Sequence, residues 1–95
     1  LLAPATPCAA TPIGAGWFEV DGQRLPVRPN MGVLTQPISC IGLPVCAVPV
    51  WVADAKGLPI GAQVTAPPWR EDHVLRVAAE LEAAGVVRAP VAPLD

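Results

Sequence analysis

Gly42-Leu43-Pro44-Val45-Cys46-Ala47-Val48-Pro49-Val50-Trp51-Val52 and, a few residues on, Gly57-Leu58-Pro59-Ile60-Gly61-Ala62-Gln63-Val64-Thr65-Ala66 are the strongest local signals in the chain. Each opens with Gly-Leu-Pro and continues as an apolar run rich in β-branched residues, which is strand composition. Between them, Ala53-Asp54-Ala55-Lys56-Gly57 carries an Asp, a Gly and the only Lys, as a loop between two strands needs. The pattern predicts a β-hairpin over 44–66, with 45–52 and 60–66 antiparallel. Because the first run is apolar throughout, both of its faces are expected to be covered, which puts the hairpin in the middle of a sheet.

On the C-terminal side of this hairpin the period changes after Pro67-Pro68. Val74, Ala78 and Leu81 recur at i, i+4 and i+7, Leu75 and Ala79 widen the stripe, and Arg70, Asp72, Arg76, Glu80 and Glu82 fill the other side. That predicts a helix over 70–85 packed beside the hairpin. Glu71 and Asp72 suit the positive end of its dipole, Asp72 and Arg76 are spaced to pair, and Gly85 is placed for a left-handed cap. Residues 86–95 read as an Ala/Pro-rich surface tail.

On the N-terminal side, residues 1–4 read as the end of a buried strand stopped by Pro4. Residues 5–30, with Pro7, Pro12, Pro26 and Pro29, read as an extended loop. Inside it, Trp17, Phe18 and Val20, then Asp21-Gly22 and Leu25, suggest a small hairpin turning on Asp-Gly. Residues 31–43 read as a turn or short helix interrupted by Pro37.

Composition limits the function classes. Among 95 residues, 53% are hydrophobic and 15% charged, against about 25% charged in an ordinary domain. A small domain exposes much of its surface and needs polar residues there. This chain is too apolar for its size, so it is expected either to coat that surface with a partner or to be part of something larger, and its start at Leu1-Leu2-Ala3-Pro4 favours the second expectation. Six basic and eight acidic residues, with no basic run, leave no footprint for nucleic acid. The longest apolar run, 41–53, is broken by Pro44 and Pro49 and is too short to span a membrane. Cys8, Cys40 and Cys46 are odd in number and have apolar neighbours, which predicts inert core thiols and a reducing cytoplasm.

No active site emerges from the residues alone. The single serine, Ser39, is not in a Gly-x-Ser-x-Gly elbow and reads as a buried residue bonding local backbone. His73, the only histidine, stands in the first turn of the helix, at a solvated or boundary position. The cysteines and one distant His make no zinc set, no glycine pattern joins a strand to a helix as phosphate loops do, and no cofactor is expected. The three tryptophans are taken as core or interface.

Four stretches together resemble the C-terminal third of the amidase signature family. Leu1-Leu2-Ala3-Pro4-Ala5-Thr6-Pro7-Cys8-Ala9-Ala10-Thr11-Pro12-Ile13-Gly14 is similar to its "L-L-x-P-x-x-P-x-x-A-x-x-I-G" strand and loop. Thr35-Gln36-Pro37-Ile38-Ser39-Cys40-Ile41-Gly42-Leu43-Pro44, then Ala47-Val48-Pro49, resembles "T-x-x-x-N-x-x-G-x-P-x-x-x-x-P". Gly57-Leu58-Pro59-Ile60-Gly61-Ala62-Gln63-Val64 matches "G-L-P-x-G-x-Q". Trp69-Arg70-Glu71-Asp72, Leu75-Arg76-Val77-Ala78 and Leu81-Glu82 resemble the closing helix.

The resemblance implies an α/β enzyme, with a mixed central β-sheet flanked by helices, that hydrolyses amides. A Ser–cis-Ser–Lys triad would form an acyl-enzyme, the lysine taking the nucleophile's proton through the bridging serine while backbone N–H groups hold the oxyanion. One Ser and one Lys cannot supply that triad, which in the family lies N-terminal to this segment. The chain is therefore expected to be inactive without the rest of the amidase chain, and to supply strands, the last helix and one wall of the acyl pocket. Gly32, Thr35 and Gln36 are the pocket-wall candidates.

Two departures bear on substrate. Ser39 replaces the family's usual Asn, and Gly32 stands where the glutamine-using amidotransferase branch has an acid that grips the substrate's amino group. The wording of residues 35–39 and 68–72 is closer to the branch acting on carboxybiuret, oxalurate and similar ureido acids. The alternatives are a fragment of the glutamyl-tRNA(Gln) amidotransferase type and a small non-enzymatic domain that buries its apolar faces by oligomerising. A homodimer or a small accessory protein is a further expected partner.

Overall fold

Prolines sort the strands of this protein. The structure, a computed structural model, describes residues 1–52 and 57–94. In order the elements are β1 (Leu2–Pro4), β2 (Trp17–Val20), β3 (Gln23–Pro26), α1 (Val27–Asn30), α2 (Gln36–Ile41), β4 (Val45–Trp51), β5 (Pro59–Thr65) and α3 (Glu71–Ala83). β5 is the centre of a three-stranded sheet ordered β1-β5-β4, and it has no proline after its first residue. β1 ends on Pro4, and β4 carries Pro49 in its interior. Proline has no N–H for a ladder, so strands containing it lie at edges. β4 and β5 pair antiparallel from Val45↔Thr65 to Trp51↔Pro59, and β1 pairs antiparallel with β5 from Leu2↔Val64 to Pro4↔Ala62. The loop expected over 53–57 lies outside the described residues except Gly57, whose φ is +75°.

The two faces of β5 differ, because successive side chains of a strand point opposite ways. On one, Val64, Ala66 and the α3 residue Val74 form the core, with Cys46 and Leu81 packed against it. On the other, Gly61 meets Ala5 and Thr6 of the chain that follows β1, and Gln63 reaches Pro4 at the end of β1. There the Ala5 N–H donates to the Gly61 carbonyl at 2.8 Å, and the Gly61 N–H donates to Thr6 Oγ1 at 3.2 Å. A Cβ on Gly61 would stand 3.1 Å from that of Ala5, so the glycine is what allows this approach.

β2 and β3 form the Asp-Gly hairpin, Val20↔Gln23 closing it, with φ of +49° at Asp21 and +73° at Gly22. Two positive φ values are what a tight right-twisted hairpin turn demands. α3 ends in a Schellman motif: the Gly85 N–H donates to the Glu82 carbonyl at 2.9 Å and the Val86 N–H to the Leu81 carbonyl at 3.0 Å, with Gly85 at φ +73°.

Several expectations are corrected. Within the sheet of the described residues β4 stands at an edge, and of its residues Val48 alone is buried. β1 ends on Pro4 but is exposed at Leu2 rather than buried. The helical stripe is narrower than its periodicity implies, with Leu75 and Ala79 exposed while Val74 is buried. Asp72 pairs with Arg70 rather than Arg76, because Arg70 precedes the helix and its side chain can fold back over the first turn. Residues 27–30 form a helical turn inside the stretch expected to be extended, with Pro29 in its first turn, where a missing N–H costs nothing. Pro37 likewise opens α2 instead of interrupting it. Ser39 and Cys40 are exposed and Cys8 is half-buried, while Cys46 is half-buried against the core. Burial raises the Cys8 thiol pKa. Trp17 and Trp69 are exposed and Trp51 is half-buried. Arg24 lies 5.2 Å over the Trp17 ring and Arg88 5.1 Å over that of Trp51.

Apolar excess persists in the fold. The accessible surface is 7040 Å², where a folded monomer of this mass exposes about 5,200 Å². The radius of gyration is 14.7 Å, against about 12 Å for a compact domain of this length. An open trough across Leu2, Pro4, Val50, Ile60 and Ala62 leaves much of the α3-side face of the sheet uncovered.

Candidate functional site

Gly32, Thr35 and Gln36 sit where the chain leaves α1 and enters α2, and one carbonyl gathers them. The Gly32 oxygen accepts the Gln36 N–H at 2.8 Å, the Thr35 N–H at 3.0 Å and Thr35 Oγ1–H at 3.3 Å. Three donors on one acceptor make a tight turn. The Gln36 side chain lies across Gly32, so that a Cβ there would be 3.0 Å from Gln36 Nε2. Gly32 therefore leaves the Gln36 carboxamide room over the turn. Gly42, at φ +71°, ends α2 and returns the chain into β4.

A residue to which the sequence pattern assigned no role ties this turn to the sheet. Gln63 Nε2 donates to the Leu34 carbonyl at 2.8 Å and to the Pro4 carbonyl at 2.9 Å. A signal for it existed: Gln63 is the only polar side chain between Pro59 and Val64, in a run otherwise apolar. An amide in the central strand of a sheet must find partners or pay for desolvation.

Charged chemistry gathers elsewhere, on the surface at the start of α3. Arg70 donates to both Asp72 carboxylate oxygens, at 2.9 and 3.0 Å, and also contacts His73. The guanidinium hydrogen bond holds the Asp72 carboxyl down at about 2. The three side chains are exposed or half-buried, the geometry of a solvated first turn. Among the described residues no three His, Cys, Asp or Glu side chains are grouped to hold a metal ion. Among them, too, no helix is long and apolar enough to cross a membrane.

The family profile described as Amidase matches residues 1–75. AtzE, a component of the 1-carboxybiuret hydrolase of Pseudomonas sp. (strain ADP), is 50% identical over 88 residues, 93% of this chain and 19% of that protein. The A subunit of glutamyl-tRNA(Gln) amidotransferase from Jannaschia sp. (strain CCS1) is 42% identical over 92 residues, 95% of this chain and 17% of that one. A solved structure described as "An unexpected vestigial protein complex reveals the evolutionary origins of an s-triazine catabolic enzyme" aligns with a TM-score of 0.89 at 48% identity, covering 95% of this chain and 20% of the other. A second, described as "Crystal structure of amidase", aligns with a TM-score of 0.79 at 32% identity over 87% of this chain and 19% of its own. The chain thus spans about a fifth of the length of these relatives.

Proposed function

This chain belongs to the amidase family, and from that premise we propose that it is the C-terminal segment of an amidohydrolase cleaving a linear amide or ureido C–N bond. Its α/β arrangement is that of a segment of the amidase-signature fold. In this reading the remainder of the enzyme brings the Ser–cis-Ser–Lys triad. The lysine takes the nucleophile's proton through the bridging serine, the serine oxygen adds to the carbonyl carbon, the nitrogen leaves protonated, and water releases the acid from the acyl-enzyme. The present residues contribute a wall: Gly32, Thr35 and Gln36 face the acyl pocket, and β1, β5, β4 and α3 hold that wall in place. Alone, the 95 residues are inactive.

The observation that carries this reading is the half-identity to a carboxybiuret hydrolase component along nearly the whole chain. Gly32 supports it, since a glycine offers no carboxylate to an amino-acid ammonium group. The excess apolar surface supports burial against the rest of the enzyme, with a homodimer or a small accessory protein as further partners. Three free thiols fit a reducing cytoplasm.

Assay of the full-length enzyme tests the proposal. It is expected to hydrolyse small ureido acids such as 1-carboxybiuret without consuming glutamine. Glutamine-dependent transamidation would instead support the second reading, part of a glutamyl-tRNA(Gln) amidotransferase, which the 42% identical relative favours. A 9.8 kDa chain that purifies alone, melts cooperatively as an oligomer and cleaves nothing would support a binding module.

A further inference from the structure

Gln63 stands in the middle of the central strand with 2% of its surface exposed. Both hydrogens of its carboxamide nitrogen are committed, one to Pro4 at the end of β1 and one to Leu34 in the turn that carries Gly32, Thr35 and Gln36. The acceptors are 59 and 29 residues away along the chain, so this one nitrogen joins three separate segments. Its Oε1 is buried and has no partner. Burying an unfilled acceptor is unfavourable, and a leucine of similar size would avoid it. What leucine lacks is the pair of donors.

The partners specify the chemistry. Two carbonyl oxygens converge on one point, and bridging them takes a neutral group with two N–H donors. A carboxylate of the same shape would set lone pairs against both oxygens. The neighbouring segment lies close two residues earlier as well, where a Cβ on Gly61 would stand 3.1 Å from that of Ala5.

From this geometry we infer that Gln63 is a positioning residue: its two donors fix the 32–36 turn at a set distance from the sheet and so define the fit of the acyl pocket to its substrate. This rests on the reading of Gly32, Thr35 and Gln36 as pocket wall. Gln63 does not touch substrate; it acts through the turn. A wall that loosens weakens substrate binding in ground state and transition state alike, which raises KM and spares kcat.

The test uses the full-length enzyme with Gln63→Leu, Gln63→Glu and Gln63→Asn. For Leu and Glu, KM for the best amide or ureido substrate is expected to rise about tenfold, with kcat within about threefold of the parent. Amide hydrogen exchange over residues 31–41 is expected to quicken while α3 keeps the parent's protection. Asn, a methylene shorter but with both donors, restores part of the KM and part of the protection. Unchanged KM and unchanged exchange in a folded variant overturn the inference, as does a fall in kcat with KM untouched. If Leu and Glu fail to fold, the Asn variant decides by the same two readouts. A parent enzyme that cleaves no amide defeats the functional reading instead, and exchange over 31–41 then judges the clasp separately.

Discussion

The two faces of β5 are held by different forces. Toward α3, Val64 and Ala66 bury against Val74, a contact of methyl groups with no direction. Toward the turn and the chain after β1, Gly61 is held by hydrogen bonds with the Ala5 N–H and Thr6 Oγ1, and Gln63 by bonds to the Pro4 and Leu34 carbonyls. Packing of the first kind accepts any apolar residue of the right volume. The second favours a glycine at 61, where a Cβ would crowd that of Ala5, and an amide at 63, where two carbonyls call for two donors. Stability on one side and positional accuracy on the other are thus divided between alternate residues of a single strand.

Substitution on each face measures the contrast. Val74→Ala, which empties the centre of the packed face, is expected to destabilise the protein most, by about 2 kcal/mol in chemical denaturation. Gly61→Val forces branched carbons against Ala5 and Thr6 and is expected to cost somewhat less, about 1–2 kcal/mol, because that segment can retreat. A larger loss at Gly61 than at Val74 would reverse the ranking and make the hydrogen-bonded face the stronger one. Asp72→Asn, on neither face, should have the smallest effect, since both partners are exposed. Its sign with pH is fixed nevertheless. The Asp72 carboxyl titrates at about 2 when folded, below the usual carboxylate range, so its pairing favours the folded state above about pH 4. That contribution is lost as pH falls toward 2, and the difference in Tm between parent and variant should vanish across the same interval.

The sequence made parts of this architecture legible and hid others. The antiparallel pairing of β4 with β5, the Asp21-Gly22 turn and the Gly85 cap were readable because each rests on neighbours within a few positions. The apolar run of β4 suggested two covered faces, and within the described residues the strand stands at an edge of the sheet, with Pro49 in its interior. The Asp72 partner was misread, since i, i+4 spacing describes residues inside a helix and Arg70 lies just before it. Of the candidate site, Gly32, Thr35 and Gln36 were picked out through a family resemblance, and the carbonyl that gathers them was not foreseen.

Local periodicity and turn chemistry sufficed for the helix 71–83, the two strands of the long hairpin and the α/β character, because those depend on backbone preference and on which side of an element is apolar. The clasp of Gln63 on Pro4 and Leu34, and the choice of β5 as the central strand, came into being when distant segments met. No pattern in an unfolded chain states which carbonyl, 29 or 59 residues away, will lie within hydrogen-bond reach of a given amide. That is set by how the sheet closes, and directional contacts of this kind exist only once it has.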